Sequence, residues 1–249
     1  SRLSEDPDTS VCLIEAGGSG RDILVRAPAL VAATVSGRPK IHNWAFHSEP
    51  MAELNNRRGF HPRGKALGGS SAINAMLYVR GHRRDYDEWA DLGCDGWDWE
   101  SVLPFFRKSE RNLRGGSALH GDSGPLHVSA QNEPLAITDA FLESASAAQV
   151  PLNPDFNGEK QEGAGCYQVT QYGDGPSKGE RCSAAAAYLT KEARARSNLK
   201  VITRTRVHKV LWDGKRAIGV RVRTRGQVKD FGAAREVILS AGTFGSQLL

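Results

Sequence analysis

Residues 63–81 read RGKALGGSSAINAMLYVRG, and the reading of this stretch decides the fold. Two glycines stand beside two serines, Arg63 and Lys65 come just before them, and small residues continue to Ala75 ahead of an apolar run. A glycine turn feeding a helix N-terminus presents backbone N–H groups and a positive dipole end to an anion. Small side chains through Ala75 leave the backbone bare over about two helical turns. That favours a long ligand lying along the segment over a single phosphate. The pattern predicts a helix over Leu67–Val79, entered through the glycine turn.

The surrounding chain is that of a globular protein. It has 249 residues, 39% of them hydrophobic and 24% charged. That length suffices for a sizeable core without disulfide staples. The net charge of +5 is a mild excess, concentrated in Arg194–Arg206 and Arg216–Arg225 without interleaved aromatic residues. Such runs read as solvated strand and helix faces rather than a nucleic-acid surface. Cys12, Cys94, Cys166 and Cys182 are widely spaced, with no CxxC pair. This argues against zinc and for a reducing compartment. No apolar run has the length of a membrane span. The chain opens without Met and closes inside the apolar run of EVILSAGTFGSQLL, so it reads as a fragment.

Val11–Ile14 is an apolar run closed by Glu15 and small residues, the pattern of a buried parallel strand. Asn43–Phe46 is a short strand candidate. Asp85–Leu92 and Glu100–Ser109 read as helices, Leu126–Ser129 as a strand, Pro134–Gln149 as an amphipathic helix, and Cys166–Gln171 as an antiparallel strand. Cys182–Arg196 reads as one long alanine-rich helix. Lys200–Ile202, Val207–Trp212 and Ala217–Arg225 form the clearest β-region, with a hairpin turn at Asp213–Gly214. Glu236–Ser240 reads as a further buried strand. Mixed α/β order with a meander fits a nucleotide-binding layer carrying an antiparallel inset.

Three motifs come close to the glycine stretch. GFHPRGKA, at 59–66, approaches a phosphate loop, but Ala66 stands where a metal-binding hydroxyl is needed. GGSSA, at 68–72, approaches a nucleophile elbow with Ser70 as nucleophile, but Ala72 replaces its last glycine. GDSGP, at 121–125, reads as a loop. Glu15 carries a different signal. In dinucleotide folds an acid at a strand end holds the ribose hydroxyls, and VCLIEAGG has that form.

Together these pieces resemble the glucose–methanol–choline (GMC) family of FAD-dependent oxidoreductases. GKALGGSSAINAMLYVRGHRRDYD (Gly64–Asp87) is similar to the family's first signature along its whole length, and GTFGSQLL to the opening of its second. NWAF, LNNRRGFHPRGK, DGWDWESVLPFFRKSE, HGDSGPL, QEGAGCYQVTQ and RCSAAAAYL look familial too. The nearest flavour is that of bacterial alcohol and choline dehydrogenases.

The resemblance implies an α/β, Rossmann-like FAD-binding domain with a β-meander, plus part of an α+β antiparallel-sheet substrate domain. The first would take residues 1–112 and 177–249, without its first strand and GxGxxG turn, and the second 113–176. It implies non-covalent FAD, because Ala72 stands where some members carry the linking histidine. Glu15, with Ala16 beside it, would bind the adenosine ribose. Gly68, Gly69 and Ser70, entered from Gly64, would line the pyrophosphate. Asn74, Ala75, Met76 and Leu77 would approach the flavin ring. Val207 would meet adenine through its backbone, and Ala241 and Gly242 would close the adenosine half.

The implied activity is oxidation of a primary alcohol, aliphatic or choline, to the aldehyde, with electrons passing to a quinone or another non-oxygen acceptor. No catalytic residue is expected in this chain. The histidine base and its His or Asn partner would lie beyond Leu249, and the fragment alone would be inactive. The implied setting is cytoplasmic, with peripheral contact to the inner membrane left open, as is oligomeric state. A non-catalytic, truncated flavin-binding remnant and a serine hydrolase using Ser70 are the alternatives.

Overall fold

The structure, a computed structural model, describes residues 1–37, 40–131 and 134–249. In chain order its elements are β1 (Val11–Ile14), α1 (Ile23–Arg26), α2 (Val31–Val35), β2 (Phe46–His47), β3 (Phe60–His61), α3 (Arg83–Asp91), α4 (Trp99–Ser109), β4 (Glu110–Asn112), β5 (Leu126–Val128) and α5 (Ala136–Ala147). There follow α6 (Ala184–Tyr188), α7 (Lys191–Ala195), β6 (Leu199–Ile202), β7 (Thr205–Asp213), β8 (Arg216–Thr224), β9 (Gln227–Gly232) and α8 (Gly242–Gln247). They form two compact units, Ser1–Asn74 with Ala184–Leu249, and Ala75–Ser183. No helix among the described residues is long and apolar enough to cross a membrane.

In the first unit β1 pairs in parallel with β6, from Val11 opposite Leu199 to Ile14 opposite Ile202. Leu67, Ala185, Leu189 and Leu199 pack into one core, with Val11 and Val201 against it. Val25, Ala66, Ala72 and Ile73 form a second. β7, β8 and β9 make the meander. Its first turn falls one residue later than Asp-Gly suggests. Asp213 pairs with Arg216, and Gly214, at φ +55°, leads a two-residue loop. The second turn uses Arg225 and Gly226, both at positive φ, as a tight two-residue hairpin requires. β9 has no sequence forecast, because QVKDFG is too polar to stand out.

Three expectations give way. Leu67–Val79 is not a helix: Gly68 and Gly69 take positive φ, and only Gly69–Ala72 coils, as a 3₁₀ turn. Cys182–Arg196 divides into α6 and α7, because Thr190 starts a new helix by accepting the Ala193 N–H on its hydroxyl at 3.2 Å. Residues 236–240 are not a strand, because no strand pairs with them among the described residues.

The second unit is built around α3 and α4. His82 and Asp85 form a reciprocal cap on α3, and Asp98 caps α4 by accepting the Ser101 N–H at 3.0 Å. The amphipathic faces bury Tyr86, Trp99 and Val102, with Leu103, Phe106 and Leu119 packed against them. β4 and β5 pair in parallel. The segment at 166–171 forms antiparallel bridges, Val169 to Leu77 and to Ser129, rather than a full strand. α5 lies where the sequence predicts it and keeps Ile137 and Phe141 exposed.

Beneath these elements lies a buried polar network. Glu110 is fully buried. It accepts from Arg80 Nη2 at 2.7 Å, the Gly121 N–H at 3.0 Å and Asn112 Nδ2 at 2.9 Å, and it bonds His120 Nδ1 at 3.0 Å. The other ring nitrogen of His120 bonds Asp155 at 2.8 Å. The hydrogen bond to Glu110 raises the His120 pKa against the opposing effect of burial, and Asp155 adds to the rise. Burial pushes Glu110 up, but His120, Asn112, Gly121 and Arg80 together hold it below its ordinary value.

The signs give a stability maximum. A raised His120 stabilises fully below the ordinary imidazole value of about 6.5, and this is lost as pH rises through its folded value. A lowered Glu110 stabilises above the ordinary carboxylate value and is lost as pH falls through its folded one. The urea midpoint of the second unit should therefore fall on both sides of mildly acidic pH. His120→Gln should remove the alkaline fall and keep the acid one.

Candidate functional site

The carboxyl end of β1 delivers Glu15. Its N–H donates to the Ile202 carbonyl at 2.8 Å, and its own carbonyl accepts the Thr205 N–H at 3.0 Å. The chain leaving β6 is thus hooked onto Glu15 as it enters β7, which brings Val207 two residues away from that hook. β7 carries a register shift between Val207 and Lys209, a bulge that loosens pairing beside Val207. The Gly17 N–H donates to Glu15 Oε1 at 2.7 Å and holds the carboxylate over its own turn, with Ala16 between. Burial pushes the Glu15 pKa up, while the Gly17 N–H and the Lys65 charge pull the other way. A half-buried carboxyl of this kind gains from a hydroxyl donor.

Two backbone passes lie in contact here because glycine allows it. A Cβ at Gly17 would overlap the Lys65 carbonyl, and one at Gly64 would overlap the Gly69 carbonyl. The Gly64 N–H donates to Ser70 Oγ at 3.1 Å. Ser71 Oγ donates to the Gly68 carbonyl at 2.6 Å and accepts the Ala184 N–H at 2.9 Å. Gly68, at φ +93°, lies against α6, where a Cβ would come 3.1 Å from the Ala185 nitrogen. Gly69, at φ +57°, is the reverse case: no atom lies within 4 Å of the place its Cβ would take. The turn is closely packed on its inner side and open on its outer side. Lys65 Nζ lies 4.5 Å from the Trp44 ring centroid, and the Arg206 guanidinium carbon 5.4 Å from it.

Ala241 is the N-cap of α8 and Gly242 its first residue. They are exposed, and Gly242 has φ +78° with open space at its Cβ position. α8 is anchored by Phe244, which meets Phe46 and His61 edge-on and lies under the Arg63 guanidinium at 4.8 Å. Phe244 thus ties the segment holding Ala241 and Gly242 to the residue just before Gly64. Asn74, exposed, closes the first unit's part of the stretch. Ala75, Met76 and Leu77 belong to the second unit. Leu77 is 53% exposed, whereas the Met76 side chain is buried at φ +63°. Met76 can therefore offer a ligand only backbone.

Sequence reading passed over the Gly17–Lys65 approach, although the pair of glycines after Glu15 signalled it. It also passed over the Trp44 platform, whose partners are distant in the chain. Ser70 Oγ accepts the Gly64 N–H, and no histidine or carboxylate among the described residues is hydrogen-bonded to it as an activating base would be. No group of three or more metal-ligating side chains is present among the described residues.

The profile of the GMC oxidoreductases matches residues 12–249. The chain belongs to the GMC oxidoreductase family. As a GMC chain it is 43% identical over 248 residues to a protein of Rhizobium johnstonii named oxygen-dependent choline dehydrogenase, which it covers to 44%. A protein of the same name from Vibrio vulnificus is 40% identical over 251 residues and covered to 43%. In both cases the whole of the present chain is matched, so it spans less than half the length of these relatives. Among solved structures, pyridoxine 4-oxidase from Mesorbium loti superposes with a TM-score of 0.85 at 32% identity, over 93% of this chain and 44% of that one. An FAD-dependent oxidoreductase from Chaetomium thermophilum gives 0.88 at 29% identity, over 100% and 44%. The α/β, Rossmann-like FAD-binding fold implied by the resemblance is the fold of this GMC chain, and FAD is its cofactor. The residues present fit FAD: a half-buried acid at a strand end, two glycines that let backbones touch, and an open glycine turn.

Proposed function

We propose that the chain is the flavin-holding part of an oxidoreductase that converts a primary alcohol, choline or an aliphatic alcohol, to its aldehyde. The observation that carries the reading is the turn at Gly68 and Gly69, closed on its inner side and open on its outer side, next to the Gly17–Lys65 approach and Glu15. In the proposal Glu15, with Ala16, accepts the ribose hydroxyls, while Gly64, Gly68, Gly69 and Ser70 lie along the pyrophosphate. The Val207 backbone meets adenine, and Ala241 and Gly242 border the adenosine half. Asn74, Ala75, Leu77 and the Met76 backbone face the flavin ring. Ala72 is fully buried and offers no atom for a covalent link, which supports non-covalent binding. Bound there, FAD would supply the hydride acceptor for the alcohol. Residues 113–176, within the second unit, are assigned to the substrate domain, and the histidine base to sequence outside these residues.

Electron transfer is proposed to go to a quinone or another non-oxygen acceptor, whereas the named relatives are called oxygen-dependent. Anaerobic addition of choline, then of aliphatic primary alcohols, to the flavin-loaded full-length protein tests the substrate class. Bleaching of the flavin bands is expected with one of them, and re-oxidation by quinone faster than by oxygen. No bleaching with either class would reject the substrate reading.

Gly69→Ala separates binding from folding. It places a side chain at φ +57° in open space, so it should lower stability by only about 1–2 kcal/mol. FAD affinity should fall by about tenfold or more, because the added methyl occupies the ligand's side of the turn. Thermal midpoint and FAD titration, measured on the same sample, check both halves.

A further inference from the structure

We infer that Asn157 is a positioning residue for the Met76–Arg80 backbone, backed by a closed ring of hydrogen bonds through Asp155, His120, Glu110 and Arg80. The Asn157 side chain takes both backbone groups of a short irregular stretch. Its Oδ1 accepts the Arg80 N–H at 2.8 Å, and its Nδ2 donates to the Tyr78 carbonyl at 2.9 Å. Gln161 Nε2 donates to the Arg80 carbonyl at 2.8 Å. On the other edge, Met76 O accepts the Thr170 N–H at 2.8 Å, and the Tyr78 N–H donates to Gln168 O at 2.8 Å. The stretch has no ladder of its own on the Asn157 side, and one amide supplies what a neighbouring strand would.

The ring explains why that amide keeps its place. Asp155 Oδ1 accepts the Asn157 N–H at 3.0 Å, and its Oδ2 bonds His120 Nε2 at 2.8 Å. His120 Nδ1 bonds Glu110, which accepts from the Arg80 guanidinium at 2.7 Å. Arg80 returns its own N–H to Asn157. Asn157 and Arg80 are each 5% exposed and Glu110 is wholly buried. Such buried polar groups are costly unless every one is satisfied. The ring thus holds the backbone of residues 78–80 at two points, the Arg80 N–H and the Tyr78 carbonyl, directly after Leu77. That Leu77 and Met76 face the flavin rests on the function proposed above; the clamp itself does not.

The test uses the flavin-loaded full-length protein and its Asn157→Ala variant, with amide exchange of residues 76–80 and visible circular dichroism of the flavin. The expected result is about tenfold faster exchange at the Arg80 amide, an altered flavin band, and α3 amides unchanged relative to wild type. His120→Gln, one step back in the ring, should act in the same direction more weakly, and carries the test if Asn157→Ala does not fold. Unchanged exchange in whichever variant folds would overturn the clamp. Faster exchange with an unaltered flavin band would overturn its positioning role. If the wild-type protein takes up no FAD, the functional reading fails, and exchange alone decides the clamp.

Discussion

Glu110→Ala should destabilise the second unit by about 3–5 kcal/mol, the largest single effect expected in that unit. The truncation leaves the buried Arg80 guanidinium without its carboxylate. It also strips the acceptor from the Gly121 N–H, removes the carboxylate partner of His120 Nδ1, and leaves Asn112 Nδ2 with only its longer 3.2 Å contacts to Gln168 and His120. Unpaired buried donors each keep their desolvation penalty. Replacing Arg80 and Glu110 together by apolar residues should not restore stability, although it does so for many isolated buried pairs. Here the other three groups would still face an apolar residue. Urea unfolding of the two variants decides this. A loss under about 1 kcal/mol for Glu110→Ala would place the carboxylate among groups that water can reach and replace.

Gly64→Ala should destabilise the first unit by about 3 kcal/mol and abolish flavin retention. The added methyl would overlap the Gly69 carbonyl, which is backbone and cannot rotate aside as a side chain would. Relief requires moving the Gly68–Gly69 turn, whose inner side already lies against α6. Gly69→Ala, five residues on and in open space, is the matched control. A fall in thermal midpoint for Gly64→Ala no larger than for Gly69→Ala would mean that the two passes are not closely packed.

What the sequence discloses follows what is local or periodic. β7 and β8 are apolar-rich runs of nine residues on either side of a turn containing Gly214, and that pattern is visible without knowing any partner. The end of β1 at Glu15 was legible because an apolar run stops on an acid. Family resemblance pointed to Gly68 and Gly69, but the helix expected after them failed. Small residues suit both a helix and a close backbone approach, and composition does not separate the two. The strand expected at 236–240 failed for a related reason: apolar content marks a segment fit for a sheet, while pairing depends on a neighbour. The Arg80, Glu110, His120, Asp155 and Asn157 ring could not be read at all. Its members are ordinary polar residues up to 77 positions apart, with no periodicity. His120 in particular stands in no motif of the sequence that singles it out, and in the fold it joins two carboxylates.

The central claim is that the Gly64–Ser70 turn and Glu15 form a flavin-nucleotide site. Titration of the purified protein with FAD, followed by visible absorbance, tests it most directly. The account requires uptake of one flavin per chain, with its bands shifted from those of free FAD and uptake weakened in Gly69→Ala. A well-folded protein, carrying the full length of its relatives, that stays colourless after FAD is added and the excess removed would contradict it.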